Sequence, residues 1–476
     1  MSRVLTIALN EGRALLRNRT AVISAALFLL LSLMAILNAW DQFRYAQGLR
    51  QTYQSEANQT FDAQPDRHPH RMVHYGHFVF RPLNPMAAFD PGVDAFTGQM
   101  LYLEGHRQNS ANFSDTRQNT SLVRFGQLTP AFCLQVLAPL LLIFLGFGVI
   151  ARERENGTLV LCLTQGVTGP QMFWGKALCL AVVAGLILLP ALVSLGWLAT
   201  QAMLGWGLTL AMLTGYVLYL LIWTMGIVLV SRFARRGREA LLGLIALWAF
   251  FCVFVPRIAP DLIAHARPLL TQMETDIRIH KELKAMGDSH NPDDPYFNAF
   301  RQKVLKSYGV SRIEDLPVNY KGLLALEGER MTSALFKAYA DRNFGQQHAQ
   351  TRLMDGVGLL APVLAVQRVS MSAAGTDLSA YQAFLEQGEA YRFGLVQHLN
   401  QLQATALTYA NDTNKARENR ISHDHWTDYP DFVFRPLAMA ERLERLSPAL
   451  GVLALWCGVL LGLGQWSALR LERLMK

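Results

Sequence analysis

The sequence predicts an all-α polytopic membrane protein with six transmembrane helices and a mainly α-helical extracytoplasmic domain plus short strands. Three observations predict it. Of the 476 residues, 51% are hydrophobic and only 17% charged, and mean hydropathy is +0.17, too apolar for a disordered chain and unusual for a soluble enzyme. Five long stretches contain no Asp, Glu, Lys or Arg, and one of them is of double length. The net charge of +8 is confined to the short segments between those stretches and at the chain ends.

A helix needs about 20 mostly apolar residues to cross a hydrocarbon core of roughly 30 Å. Residues 1–20 precede the first such run, and in Ser2–Arg19 the residues Val4, Leu5, Ala8, Leu9, Leu15 and Leu16 interleave with arginines. That spacing suits an amphipathic helix lying against the inner leaflet, with a frayed basic tail as the alternative. The first span is 21–40, which reads as a retained span and not a secretory signal because no small-residue cleavage site follows Trp40. Residues 41–129 form a polar region, 130–150 the second span and 151–176 a loop. The double-length run Ala177–Ser231 holds spans three (177–200) and four (207–231), broken near Gln201, Gly205, Trp206 and Gly207. A loop at 232–239, the fifth span at 240–256, a second polar region at 257–445, the sixth span at 446–469 and a tail at 470–476 complete the chain.

The short segments 1–20, 151–176, 232–239 and 470–476 hold 14 basic and 5 acidic residues, against 8 of each in 41–129 and 22 and 23 in 257–445. The Lys/Arg bias therefore puts both termini and the short loops in the cytoplasm and exports the two large regions. It is an orientation signal and argues against nucleic acid as a partner. All five cysteines lie in or beside spans, so the exported regions have no disulfide available and rely on packing.

Within 257–445 the residues Ile258–Met286, Pro295–Tyr308 and Tyr320–Asn343 have helical spacing, and Gly356–Val369 reads as a buried or interfacial helix. Region 41–129 looks irregular with short strands. One element is repeated: Tyr75-Gly-His-Phe78-Val-Phe-Arg81-Pro82-Leu83 returns as Tyr429-Pro-Asp-Phe432-Val-Phe-Arg435-Pro436-Leu437. Phe-Val-Phe followed by Arg-Pro suggests two matching strands near the membrane, or a duplicated docking element for a substrate or partner.

No phosphate-binding loop, HExxH or Gly-x-Ser-x-Gly motif is visible, so no residue is predicted to be catalytic. All 12 histidines fall in the exported regions. His68, His70, His74 and His77 cluster, as do His423 and His425, and His74, His77, His423 and His425 are the candidate metal ligands. Closely spaced imidazoles suit Zn²⁺, Cu²⁺ or an iron chelate; the alternative is polar surface.

The loop after span two carries Glu153-Arg154-Glu155-Asn156-Gly157-Thr158-Leu159, then Gln165-Gly166-Val167 and Gly175-Lys176. Anchoring needs only basic residues, so the alternating carboxylates call for another purpose. Thr158 can N-cap a short helix reaching Cys162 or Leu163, and Glu153, Arg154 and Glu155 offer ionic contacts to another protein. The segment reads as a lever between two spans that receives force from a soluble motor.

With this loop, the Gly-Lys opening span three, the amphipathic start ending Arg17-Asn-Arg19 and the six-span order, the chain resembles the ABC-2 type transporter permeases. It looks closest to a branch with large extracytoplasmic insertions after spans one and five. There the likeness covers Ala88-Phe-Asp-Pro-Gly-Val, Leu103-Glu-Gly-His-Arg-Gln-Asn109, Gly375-Thr-Asp377 and Glu389-Ala-Tyr-Arg392. Many such permeases have Pro-Val-Ser-Arg where this chain has Gly166-Val-Thr-Gly169. The resemblance implies a bacterial inner-membrane exporter subunit that is not itself an enzyme, with two large regions in the periplasm. It implies a second copy or a related permease, surrounding lipid, and two cytoplasmic ATPase subunits that bind the ATP and Mg; the chain itself would hold no cofactor. Glu153, Arg154, Glu155, Gly157, Thr158, Leu159, Gly166 and Lys176 would then serve ATPase coupling. The alternative is an ATP-driven mechanical transmitter whose exported regions act on a periplasmic or outer-membrane partner in metal, siderophore or cofactor handling.

Overall fold

The computed structural model describes residues 2–107, 128–201, 206–288, 291, 293–414 and 419–471. Gly205 of the expected break, the Gln108 and Asn109 end of one family segment, and Arg473 and Lys476 of the basic tail lie outside the described residues.

Six helices are long and apolar enough to cross a membrane: Arg19–Asp62, Pro130–Glu155, Gly169–Gln201, Trp206–Phe233, Gly237–Ala266 and Met439–Leu469. Each contains one expected span. The second and fourth are the most enclosed, and around them Leu142, Ile143, Phe173, Leu180, Met212 and Leu453 close into one core. The first, fifth and sixth leave apolar faces such as Leu27, Leu30, Leu242, Phe250 and Leu455 uncovered, which costs nothing where the solvent is hydrocarbon. A π turn at Cys133–Leu137 interrupts span two, and its carbonyls are taken up by side chains: Tyr219 Oη donates to Gln135 O at 2.6 Å and Trp248 Nε1 to Val136 O at 2.9 Å.

The helix of the first span does not stop where the apolar run stops. It continues to Asp62 because residues 41–62 contain no proline and a single glycine among good helix formers, although they are polar. The expected irregular segment therefore begins as helix. Strand β1, His77–Phe80, pairs antiparallel with β2, Met100–Leu103, with Val79 opposite Leu101. Its other edge is covered by that same helix, from which Gln54 accepts the Phe80 N–H at 2.8 Å and donates to the Phe78 carbonyl at 3.1 Å.

The second large region is helical. The expected helix Ile258–Met286 is broken at Arg267, and a separate helix Gln272–Met286 starts at a capping box formed by Thr271 and Glu274. Pro295–Tyr308 forms as expected under its Asp294 cap. The next helix runs past Asn343 to Gly358 and lies antiparallel to Leu378–Ala406, so close that a Cβ on Gly322 would come within 2.3 Å of the Ala404 amide. The apolar helix starts later than its sequence suggested, at Pro362, and runs to Ala374 with Val363, Val366, Val369 and Ala373 buried against spans four and six. Arg442 caps its end by donating to the Ser372 and Ala373 carbonyls at 3.2 and 2.6 Å.

Candidate functional site

At one end of the bundle the amino-terminal helix Arg3–Arg17 lies against the third span, and Ile7 fills the space that Gly175 leaves open. The loop between spans two and three sits beside it as two short helices, Ala151–Glu155 and Thr158–Thr164. Gly157 joins them with a φ of +74°, a left-handed turn that a side chain would strain. Thr158 is therefore the first helical residue and not the N-cap; Gly157 occupies the cap, and the Thr158 hydroxyl donates to the Glu153 carbonyl at 3.1 Å.

Much of the charged run is engaged within the chain, while Arg152 and Glu155 stay exposed. Lys176, buried in the third span, donates to Glu153 at 2.8 Å and to Glu11 of the amino-terminal helix at 2.5 Å. Arg154 donates to the Arg232 carbonyl at 2.8 Å and to the Ala234 carbonyl, and the Gly237 N–H donates to Glu155 at 3.0 Å. Ser231 Oγ accepts from both the Ile150 and Ala151 amides, at 3.0 and 3.1 Å. The loop is thus braced to the amino-terminal helix and to spans three, four and five. Leu159 and Leu163 are buried against Met172 and Leu471, and the Gly166 carbonyl accepts from Arg3. Two apolar side chains of the second short helix, Val160 and Leu161, point outward at 51% and 61% exposure, next to the exposed Glu155, Asn156, Thr164 and Gln165. Sequence reasoning passed over these two, along with Glu11 and Ser231, because nothing in their local pattern distinguishes them.

At the other end the repeated element has two fates. The first copy contains β1; the second forms neither helix nor strand and pairs with no strand among the described residues. Both copies reach Phe384, which packs on Val79 and sets its ring 6.2 and 5.9 Å from those of Phe432 and Phe434. Arg81 pairs with Asp94 at 2.7 Å, whereas Arg435 is exposed and anchors through its backbone to Gln387. Tyr75 accepts from the Tyr102 hydroxyl through its carbonyl, Phe78 is exposed, and Tyr429 packs on Tyr391. Pro82 and Pro436 line one cavity of about 200 Å³, with Arg81, Leu83, Phe434 and Leu437. The segments quoted for the branch likeness also meet: the Val93 N–H donates to the Thr376 carbonyl at 2.9 Å, and Arg392 to the Glu104 carbonyl at 3.1 Å.

The expected metal ligands do not come together. His77 is turned into the protein, its ring 4.9 Å from Phe61 and 6.4 Å from Tyr391, and burial pushes its pKa down to about 4. His423 pairs with Asp66 at 3.1 Å, and the carbonyl of His425 accepts from His398. His74 instead lies with His70 and His106, the one cluster of metal-ligating side chains among the described residues. Beside His106, Glu329 is fully buried; burial would raise its carboxyl, but the bond from His106 and the charge of Arg392 hold it down at about 2.

Comparison with known families gives two matches. The family described as ABC-2 family transporter protein matches residues 5–300, and a domain of unknown function (DUF3526) matches residues 271–435. The first spans the braced loop and the first five membrane helices. The second coincides with most of the large region before the sixth. No curated protein matches the chain.

Proposed function

The chain belongs to the ABC-2 family of transporter proteins, and from that premise we propose that it is the permease half of an exporter that takes force from its ATPase subunits through residues 151–164. It is a multi-pass membrane component of an ABC transporter, a family that works with separate ATPase subunits. In the proposed arrangement the basic end of the bundle faces the cytoplasm of a bacterial inner membrane, two permeases pair, and the large regions stand in the periplasm.

The observation that carries the reading is the combination of an outward apolar face, Val160 and Leu161, with a charged run braced inward to three spans and to the amino-terminal helix. An apolar patch docks a partner, and the bracing turns a push on that patch into a movement of spans three, four and five. The assignment of Glu153, Arg154, Glu155, Gly157, Thr158, Leu159, Gly166 and Lys176 to coupling is kept, with their part changed from docking to transmission.

The test is co-purification of the ATPase with a Val160→Asp/Leu161→Asp variant. Loss of the ATPase with unchanged thermal unfolding of the permease supports the reading; full retention of both association and stimulated hydrolysis overturns it. Phosphatase fusions test the orientation: activity is expected at residue 300 and none at residue 160.

One observation favours a second reading, the mechanical transmitter. The first span and the first 22 residues beyond Trp40 are one unbroken helix, which holds β1 along its side. A tilt of that span would move the exported region even if nothing crossed the membrane. Vesicles that show stimulated ATP hydrolysis but whose exported regions change accessibility without any cargo movement would select this reading.

A further inference from the structure

His70 and His74 lie one turn apart on the helix Pro69–Tyr75, with their Nε2 atoms 3.3 Å apart. The ring of His106, from the loop after β2, stands 5.9 and 5.3 Å from theirs, and one ligand atom from each residue lies within 4.8 Å of the other two. Around a tetrahedral ion with metal–nitrogen bonds of about 2.0–2.1 Å, neighbouring nitrogens are about 3.3 Å apart. The first pair is already at that spacing, and the third ring would close on it from a ligand-atom separation within 4.8 Å.

A second observation concerns the backbone of His106. Its φ is 62°, the one positive value at a non-glycine residue among the described residues, in the left-handed region that side chains rarely adopt. Glu329 enforces it: Oε2 accepts the His106 N–H at 2.9 Å and lies 3.3 Å from Nδ1. Glu329 is itself buried and locked by Arg392 at 2.6 Å. A carboxylate on Nδ1 fixes the ring and leaves Nε2 for a cation, the outer-shell device that orients metal-bound histidines.

We propose that His70, His74 and His106 bind one borderline divalent transition-metal ion, with Zn²⁺ as the reference ion and Glu329 as the positioning residue. Three imidazoles without a thiolate or a carboxylate ligand suit Zn²⁺, Ni²⁺ or Cu²⁺ and not the harder Ca²⁺ or Mg²⁺. Three protein ligands leave a coordination position for water or an incoming donor. The ion ties the helix Pro69–Tyr75 to the loop at 104–107. Through Glu329 and Arg392 it also joins them to the helix pair Tyr320–Gly358 and Leu378–Ala406. The proposal stands independently of the exporter reading.

The test uses the full chain in detergent, its affinity tag removed, stripped with chelator and titrated with Zn²⁺ against a chromogenic competitor. One ion per chain is expected. His74→Ala removes an exposed ring and leaves the fold intact; it is expected to weaken binding at least tenfold and to abolish the visible absorption of the Co²⁺-substituted protein. His106→Asn, which tolerates the left-handed backbone, is expected to do the same, and Glu329→Gln to cost about 10–100-fold. His423→Ala/His425→Ala is expected to bind as the parent does. No uptake by the parent chain, or unchanged affinity and Co²⁺ spectrum in His74→Ala, overturns the proposal.

Discussion

Lys176 Nζ lies 2.8 Å from Glu153 Oε1, linking the first residues of the third span to the loop that follows the second. The same amine holds Glu11 at 2.5 Å, so one buried cation ties the third span and the loop before it to the amino-terminal helix, which is distant in the chain. Lys176→Met leaves two carboxylates facing each other without a counter-charge. The loss of charge-assisted bonds should cost about 1.5–3 kcal/mol, seen as a lower thermal midpoint in micelles. Glu153→Gln/Lys176→Met should be less destabilised than the two single losses added together, since each removes the same bond.

Ser231 is fully buried and its hydroxyl oxygen serves two backbone amides at the entry to the loop. Ser231→Ala strands both N–H groups, at about 1–3 kcal/mol. We expect faster hydrogen exchange at Ile150 and Ala151 while the opposite end of the bundle keeps the parent rate; equal protection in the two proteins would refute this.

His77 sets a pH dependence. Its folded pKa of about 4 lies below the ordinary 6.5 because burial disfavours the imidazolium. The unfolded chain therefore binds a proton between pH 6.5 and 4 that the folded chain does not, so stability is full above pH 6.5 and falls as the pH drops towards 4. The difference of about 2.5 pH units corresponds to ~3 kcal/mol. His77→Phe, which suits the aromatic surroundings, should flatten the midpoint between pH 7 and 4 relative to the parent; parallel curves would count against the assignment.

Phe384 joins both copies of the repeated element. Phe384→Ala opens a cavity at a cost of about 3–5 kcal/mol. Limited proteolysis should then cut first between residues 429 and 437, the copy that lacks strand pairing, with β1 following only at higher protease.

Several parts of the fold were legible because they are local. Apolar length located the six candidate spans, and apolar residues at three- and four-residue spacing located Pro295–Tyr308. The helix through residues 41–62 was missed because polarity was taken for irregularity, although polar residues such as Gln54 and Arg50 are good helix formers. In the histidine cluster, proximity in sequence favoured His77 over His106. Gly76, at φ +76°, turns the chain into β1, and strand alternation then buries His77 while Phe78 faces out. His106 joins His70 and His74 only because β2 folds back along β1.

The sequence by itself determined what depends on composition along the chain: where the six apolar helices lie, which segments carry the positive charge, and that the loop after span two is chemically unusual. Hydrocarbon is a fixed external solvent, so apolar length is sufficient information for a span. Only the tertiary structure decided which groups meet: that Glu153 turns inward to Lys176 and Glu11, leaving Val160 and Leu161 outside, and that three imidazoles from two segments share one place beside Glu329. Those contacts arise from packing between elements distant in sequence, and a local pattern does not record them.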